Sequence, residues 1–146
     1  MKRTLLVLAL LVFGVTAAFG ETLDGGIYTI DVPDGWYGSV VVPTAIITKN
    51  DNSGQVSVAY ASRQGFSLGD LAAALVQEFG KSDAFSSVGT PEADEDGDYV
   101  WEMTTANGTE SKALLREVDD NYLLVVRTGQ ASPEEVDMVV SGMNEK

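Results

Sequence analysis

The sequence contains no histidine and no cysteine. Together these absences exclude a Ser-His-Asp triad, a Cys-His dyad, a zinc site built on His or Cys, a thiol redox motif and any disulfide. With no thiol to acylate, S-linked lipid anchoring is excluded as well. No serine sits in a Gly-x-Ser-x-Gly elbow, and no glycine-rich phosphate loop is present. Paired carboxylates can hydrolyse glycosides, but nothing singles out two acids from the 22 in the chain. The expectation is a protein that is not an enzyme and carries no cofactor, metal or catalytic residue.

Basic residues are also scarce, with 9 Lys and Arg against 22 Asp and Glu and a net charge of −13. Nucleic-acid binding needs clustered cations to displace counterions. Anionic membrane surfaces likewise attract basic chains and repel this one. The expected partner is an unidentified protein or small ligand, with no nucleic acid among the candidates. High net charge also keeps a protein soluble without any binding role.

Met1-Lys2-Arg3 is a short basic stretch, Leu5 to Phe19 is almost wholly apolar, and Ala17-Ala18-Phe19-Gly20 is rich in small residues. These are the three parts of a secretory signal peptide. The apolar run is shorter than the roughly 20 residues a spanning helix needs. The division expected is a signal peptide over 1–20, a flexible lead over 21–26 and one globular α+β domain over 27–146. Small residues at 18 and 20, or at 16 and 18, leave cleavage after Gly20 or after Ala18. The mature chain is then exported, periplasmic or secreted, with no stable membrane anchor. Losing Lys2 and Arg3 takes its net charge from −13 to −15.

Downstream of the lead, Tyr28, Ile30 and Val32 alternate with polar residues, which predicts a half-buried strand. Pro33-Asp34-Gly35 ends it in a turn. Ser39 to Thr48 reads as one β-branched run, with Pro43 marking an edge position or a bulge. Asn50 to Gly54 has hairpin-loop composition, and Gln55–Ser62 alternates again. The period then changes. Leu68, Leu71, Ala72, Leu75, Val76 and Phe79 recur at helical spacing, with Ser67 as the N-cap and Gly80 as the stop.

Ala84–Val88 reads as a weaker strand, and an acidic loop follows over Pro91–Asp98. Tyr99–Thr105, Ser111–Val118 and Tyr122–Thr128 read as a meander turned by Asn107-Gly108 and Asp119-Asp120-Asn121. Ser132-Pro133-Glu134-Glu135 has the pattern of a capping box. It opens a helix whose apolar stripe is Val136, Val139, Val140 and Met143. The whole is an antiparallel sheet of five to seven strands packed with two amphipathic helices, near Leu68–Phe79 and Pro133–Met143.

The segment from Tyr28 through Pro33-Asp34-Gly35-Trp36 resembles the opening of bacterial PsbP-like domains. Those domains are related in fold to the photosystem II extrinsic subunit and to a small Ran-binding nuclear import factor. The later order is similar too: a Ser-capped helix, a three-strand meander, and a terminal helix after Gly129 to Glu135. The resemblance covers most of the chain past the leader. It implies an α/β/α sandwich in a non-catalytic binding or assembly protein, and it brings no catalytic residues.

Two features invite a ligand. Asp94, Asp96 and Asp98 alternate in the densest acidic stretch, and calcium favours several carboxylate oxygens on a loop. The EF-hand pattern fails, however: Tyr99 stands where the loop glycine belongs and Thr105 where the bidentate glutamate belongs. A solvated turn is the simpler reading, and a calcium or small-ligand site on the 94–98 loop is the alternative. Trp36 and Tyr37 could stack on a ligand, but an aromatic beside a first strand more commonly closes the core. Trp101 alternates with Tyr99 and Met103 and is expected to face the core.

Overall fold

The computed structural model describes residues 18–19 and 21–146. The signal peptide expected over 1–20 lies outside the described residues, except for Ala18–Phe19, a two-residue strand β1. The strands that follow are β2 (Thr22–Asp24), β3 (Tyr28–Asp31), β4 (Trp36–Val41), β5 (Thr44–Lys49) and β6 (Gly54–Ser62). Helix α1 (Leu68–Lys81) precedes β7 (Phe85–Val88), β8 (Glu92–Ala93), β9 (Tyr99–Thr105), β10 (Glu110–Val118) and β11 (Asn121–Gly129). Helix α2 (Pro133–Ser141) and β12 (Met143–Glu145) close the chain.

The order β1-β4-β5-β6-β11-β10-β9-β7, with β8 also paired to β9, makes a nine-stranded antiparallel sheet. A second sheet, β12-β3-β2, has three strands. The expectation of five to seven strands in one sheet is therefore corrected upward. Part of the excess comes from the Ser39–Thr48 run, which is two strands. Pro43 has no N–H to give a ladder, and the chain reverses at Val42–Pro43, which is joined by a cis peptide bond. The rest comes from the two-residue strands β1 and β8. In the second sheet, Thr22–Asp24, expected as flexible lead, pairs with β3, and Met143–Glu145, of which Met143 is the expected end of the helix, pairs with β3 on its other side.

The first helix runs one residue past Gly80, to Lys81, and is capped by Ser82, whose N–H donates to the Phe79 carbonyl. Ser67 caps its start by accepting from the Asp70 N–H. Leu68, Leu71, Ala72, Leu75 and Phe79 form its buried stripe, as the spacing predicts. They pack on Trp101, Met103, Ala113, Leu115, Tyr122, Leu124 and Val126, which point to one face of the large sheet. The second helix carries the expected capping box between Ser132 and Glu135.

On the opposite face, Val56, Val58, Tyr60, Leu123 and Val125 meet the small sheet and Val139 of α2. Tyr28 is fully buried at that junction, with its hydroxyl directed at the carbonyls of Pro43 (2.9 Å) and Val58 (3.1 Å). The small sheet and α2 are too narrow to cover the whole second face. On β9 and β10 that face holds Val100, Glu102, Thr104, Glu110, Lys112, Leu114 and Arg116, none of them buried. This uncovered half of the sheet positions the candidate site.

Candidate functional site

The acidic loop is organised from within. One Asp94 carboxylate oxygen accepts the N–H groups of Asp96 (2.9 Å) and Asp98 (3.0 Å), closing a turn on its own backbone. Asp98 is buried and held in a forked contact by Arg116, with Nε 3.1 Å from both its oxygens and Nη2 2.7 Å from one. The same bond raises the Arg116 pKa, because Asp98 stabilises the charged guanidinium. Asp94, Asp96 and Asp98 do bring one carboxylate oxygen each within 4.8 Å of the others. One of the three is already neutralised by a cation, and another is occupied by backbone donors.

Trp36 is buried in the core beneath the small sheet, and Trp101 is buried under α1. Both follow the structural reading, and neither indole face is free to stack on a ligand. Lys49 lies 5.8 Å from the Trp36 ring centroid and pairs with Glu135 at 2.8 Å. That pair fastens β5 to the start of α2.

The most distinctive surface is one the composition obscured. A groove of about 370 Å³ crosses β7, β9, β10 and β11 on the uncovered face. Its centre is Lys112 and Arg127, which stand directly opposite each other on β10 and β11, with Glu102 opposite Lys112 on its other side. Ser87, Thr104 and Glu110 rim it. Gly89 keeps the floor low at the β7 end, where a Cβ would come within 2.9 Å of the Glu102 carbonyl oxygen.

Beyond residue 20 there are seven cations, and five form ion pairs: Lys49, Arg63, Lys81, Arg116 and Lys146. Lys112 and Arg127 are the other two. Among the described residues no carboxylate oxygen lies within 4.0 Å of either side-chain cation. Arg127 is oriented by donating from Nη1 to the Ala131 carbonyl at 3.3 Å. Like charges directly opposite on neighbouring strands repel, and here they do so in a chain rich in carboxylates. A signal for this juxtaposition was present in the sequence. Once Asp119-Asp120 is the turn, Val118 opposes Asn121, and counting back places Lys112 against Arg127.

No family model matches the sequence, and no curated protein matches it. Solved structures do. The cyanobacterial PsbP (CyanoP) from Synechocystis sp. PCC 6803 aligns with a TM-score of 0.52 at 18% identity, covering 92% of this chain and 97% of that one. A Mog1 protein aligns with a TM-score of 0.51 at 12% identity, covering 89% and 95%. A Bacteroides thetaiotaomicron VPI-5482 protein aligns at 0.47 and 15% identity, covering 88% of this chain, which spans 49% of the length of that one. At these identities the likeness speaks to architecture, and the architecture matches what the Tyr28–Trp36 opening implied. The chain has a PsbP-like fold.

Proposed function

We propose that this protein is an exported, non-enzymatic binding or assembly module that docks its partner on the uncovered half of its large sheet. The observation that carries the reading is the bare face of β9 and β10. Half-buried Leu114 and Val100 lie there between the Lys112–Arg127 pair and the Arg116–Asp98 pair. Sheet faces in small domains are normally covered or uniformly polar. One with apolar residues between charged ends has the composition of a recognition surface. The PsbP-like fold and the lack of His and Cys support a role without catalysis.

Export rests on the signal-peptide pattern of residues 1–20. Amino-terminal sequencing of the protein recovered outside the cytoplasm tests it, with cleavage expected after Gly20 or Ala18. Full-length protein retained in the cytoplasm contradicts it. Cleavage after Gly20 also removes β1, which pairs with Tyr37 and Gly38 of β4.

Affinity capture from native envelope extract tests the docking reading, with wild type compared against Leu114→Asp and Thr104→Arg. Thr104 is only partly buried, so the second variant keeps the test open if the first fails to fold. A protein retained by wild type and lost from folded variants is the expected result. Substrate turnover by the purified protein, or retention indifferent to both changes, contradicts it. Calcium binding on the 94–98 loop is the competing reading, favoured by the clustering of its three carboxylates. Arg116 already pairs with one of those three carboxylates, Asp98.

A further inference from the structure

Resting on the docking reading above, we infer that the groove around Lys112 and Arg127 is a receptor for carboxylates, and that its occupant is an acidic, partly apolar segment of a partner protein. The net charge of the chain points the other way, toward basic or neutral partners. Net charge governs long-range approach, whereas the contact is decided by the groups that meet. In this groove those are Lys112 and Arg127 at the centre, neither ion-paired among the described residues, with the carboxylates of Glu102 and Glu110 beside them.

Three observations converge on an anion. The register places Lys112 and Arg127 side by side, so each raises the cost of the other until an anion lies between or above them. Every other cation beyond residue 20 has found a carboxylate, although acids are abundant. Glu102 is the cross-strand neighbour of Lys112 and still forms no ion pair with it. The guanidinium of Arg127 is the better anchor. Its planar fork suits a carboxylate, and its tie to the Ala131 carbonyl fixes its direction before anything binds.

The shape favours an extended segment over a small free anion. The groove crosses four strands, about 14 Å at ordinary strand spacing, which accommodates about four residues of extended chain. A lone carboxylate would fill only the part over the cation pair. Ser87 and Thr104 offer hydroxyls beyond that pair, and Leu114 follows Lys112 by two residues on the same face of β10. Alternating acidic and apolar residues therefore match what the surface presents.

The test uses the full chain past the leader, labelled with ¹⁵N and titrated with an eight-residue peptide alternating glutamate and valine. A matched peptide alternating glutamine and valine, and free citrate, are the controls. The acidic peptide should shift the amides of Glu102–Thr104, Ser111–Ala113 and Arg127 saturably. The glutamine peptide should bind at least about tenfold more weakly, and Lys112→Gln combined with Arg127→Gln should cost the acidic peptide at least about tenfold. Both side chains reach the surface, so the double variant is expected to remain folded, and its melting curve checks this. Equal binding by the two peptides, or binding that survives the double variant, overturns the inference. Citrate saturating the same amides as tightly as the acidic peptide overturns the peptide occupant. A captured partner that binds this face but ignores the double variant overturns this inference and leaves the docking reading intact. Acidic-peptide binding with no capturable partner does the reverse.

Discussion

Lys112 and Arg127 oppose each other on adjacent strands of a protein with 22 acidic residues, and among the described residues neither has an ion-pair partner. Such an arrangement costs the folded state something in the absence of a ligand. Replacing Lys112 by Gln removes the repulsion and keeps the length of the strand residue. Urea denaturation at low ionic strength should therefore show a gain of roughly 0.2–1 kcal/mol. The gain should shrink as salt screens the pair. A loss of similar size would mean that Lys112 is held by an attraction within the fold.

The Arg116–Asp98 pair is expected to break asymmetrically. Asp98 keeps only 7% of its side chain exposed, while Arg116 keeps 50%. Removing Arg116 as Arg116→Met strands a buried carboxylate, and a loss of roughly 3 kcal/mol is expected. Removing the acid as Asp98→Asn leaves a guanidinium that water can reach, and roughly 1 kcal/mol is expected. Equal losses in denaturant melts would show that the loop, and not the burial of Asp98, sets the cost.

Much of this fold is written locally. The 3.6-residue spacing from Leu68 to Phe79 specifies α1, and Ser132-Pro133-Glu134-Glu135 specifies where α2 begins. Asn107-Gly108 and Asp119-Asp120 mark two hairpins. The small sheet was not legible, because β2 and β12 have three residues each, too few for alternation to register. β2 meets β3 through a short local turn, whereas β12 reaches it from the opposite end of the chain. Ser39–Thr48 was misread because its β-branched residues flank Pro43 on both sides, and a turn inside them lacks the usual Gly or Asn. For the candidate groove, the opposition of Lys112 and Arg127 follows from turn counting. Their lack of an ion-pair partner depends on which acids the tertiary fold brings near, and no local pattern carries that.

Acid should weaken the fold through Glu135. Its pKa is lowered, first by the bond from Lys49 and then by the Ser132 N–H at the cap. Asp24 and Asp51 are also lowered, by Lys146 and by Ser53 respectively. A lowered folded pKa contributes stability that is present above the unfolded value and is lost as pH falls through the folded one. Stability should thus decline as pH drops below about 4.5, the ordinary range of a glutamate. Glu135→Gln keeps the capping geometry and removes the ion pair, so it should cost roughly 0.2–1 kcal/mol near neutrality. The cost should vanish in acid. A pH-independent difference between wild type and variant would contradict the assignment.

Phe79 anchors α1 to the sheet. Its ring meets Phe85 edge-on at 5.2 Å between centroids and lies 6.4 Å from Trp101. Truncation as Phe79→Ala should cost about 3–5 kcal/mol in a thermal or urea melt. A cost below about 1 kcal/mol would show that the helix is not held by this contact.

The central claim is that the uncovered face of β9 and β10 is where this protein binds, and one measurement addresses it without knowing the partner beforehand. Amide shifts of the ¹⁵N-labelled protein are recorded before and after addition of the partner recovered by capture. Shifts and line broadening should centre on Val100–Thr104, Ser111–Arg116 and Arg127, while the amides of α1 and of the 94–96 turn stay in place. Changes centred on α1 or on Asp94–Asp96, with the strand amides unmoved, would contradict the account.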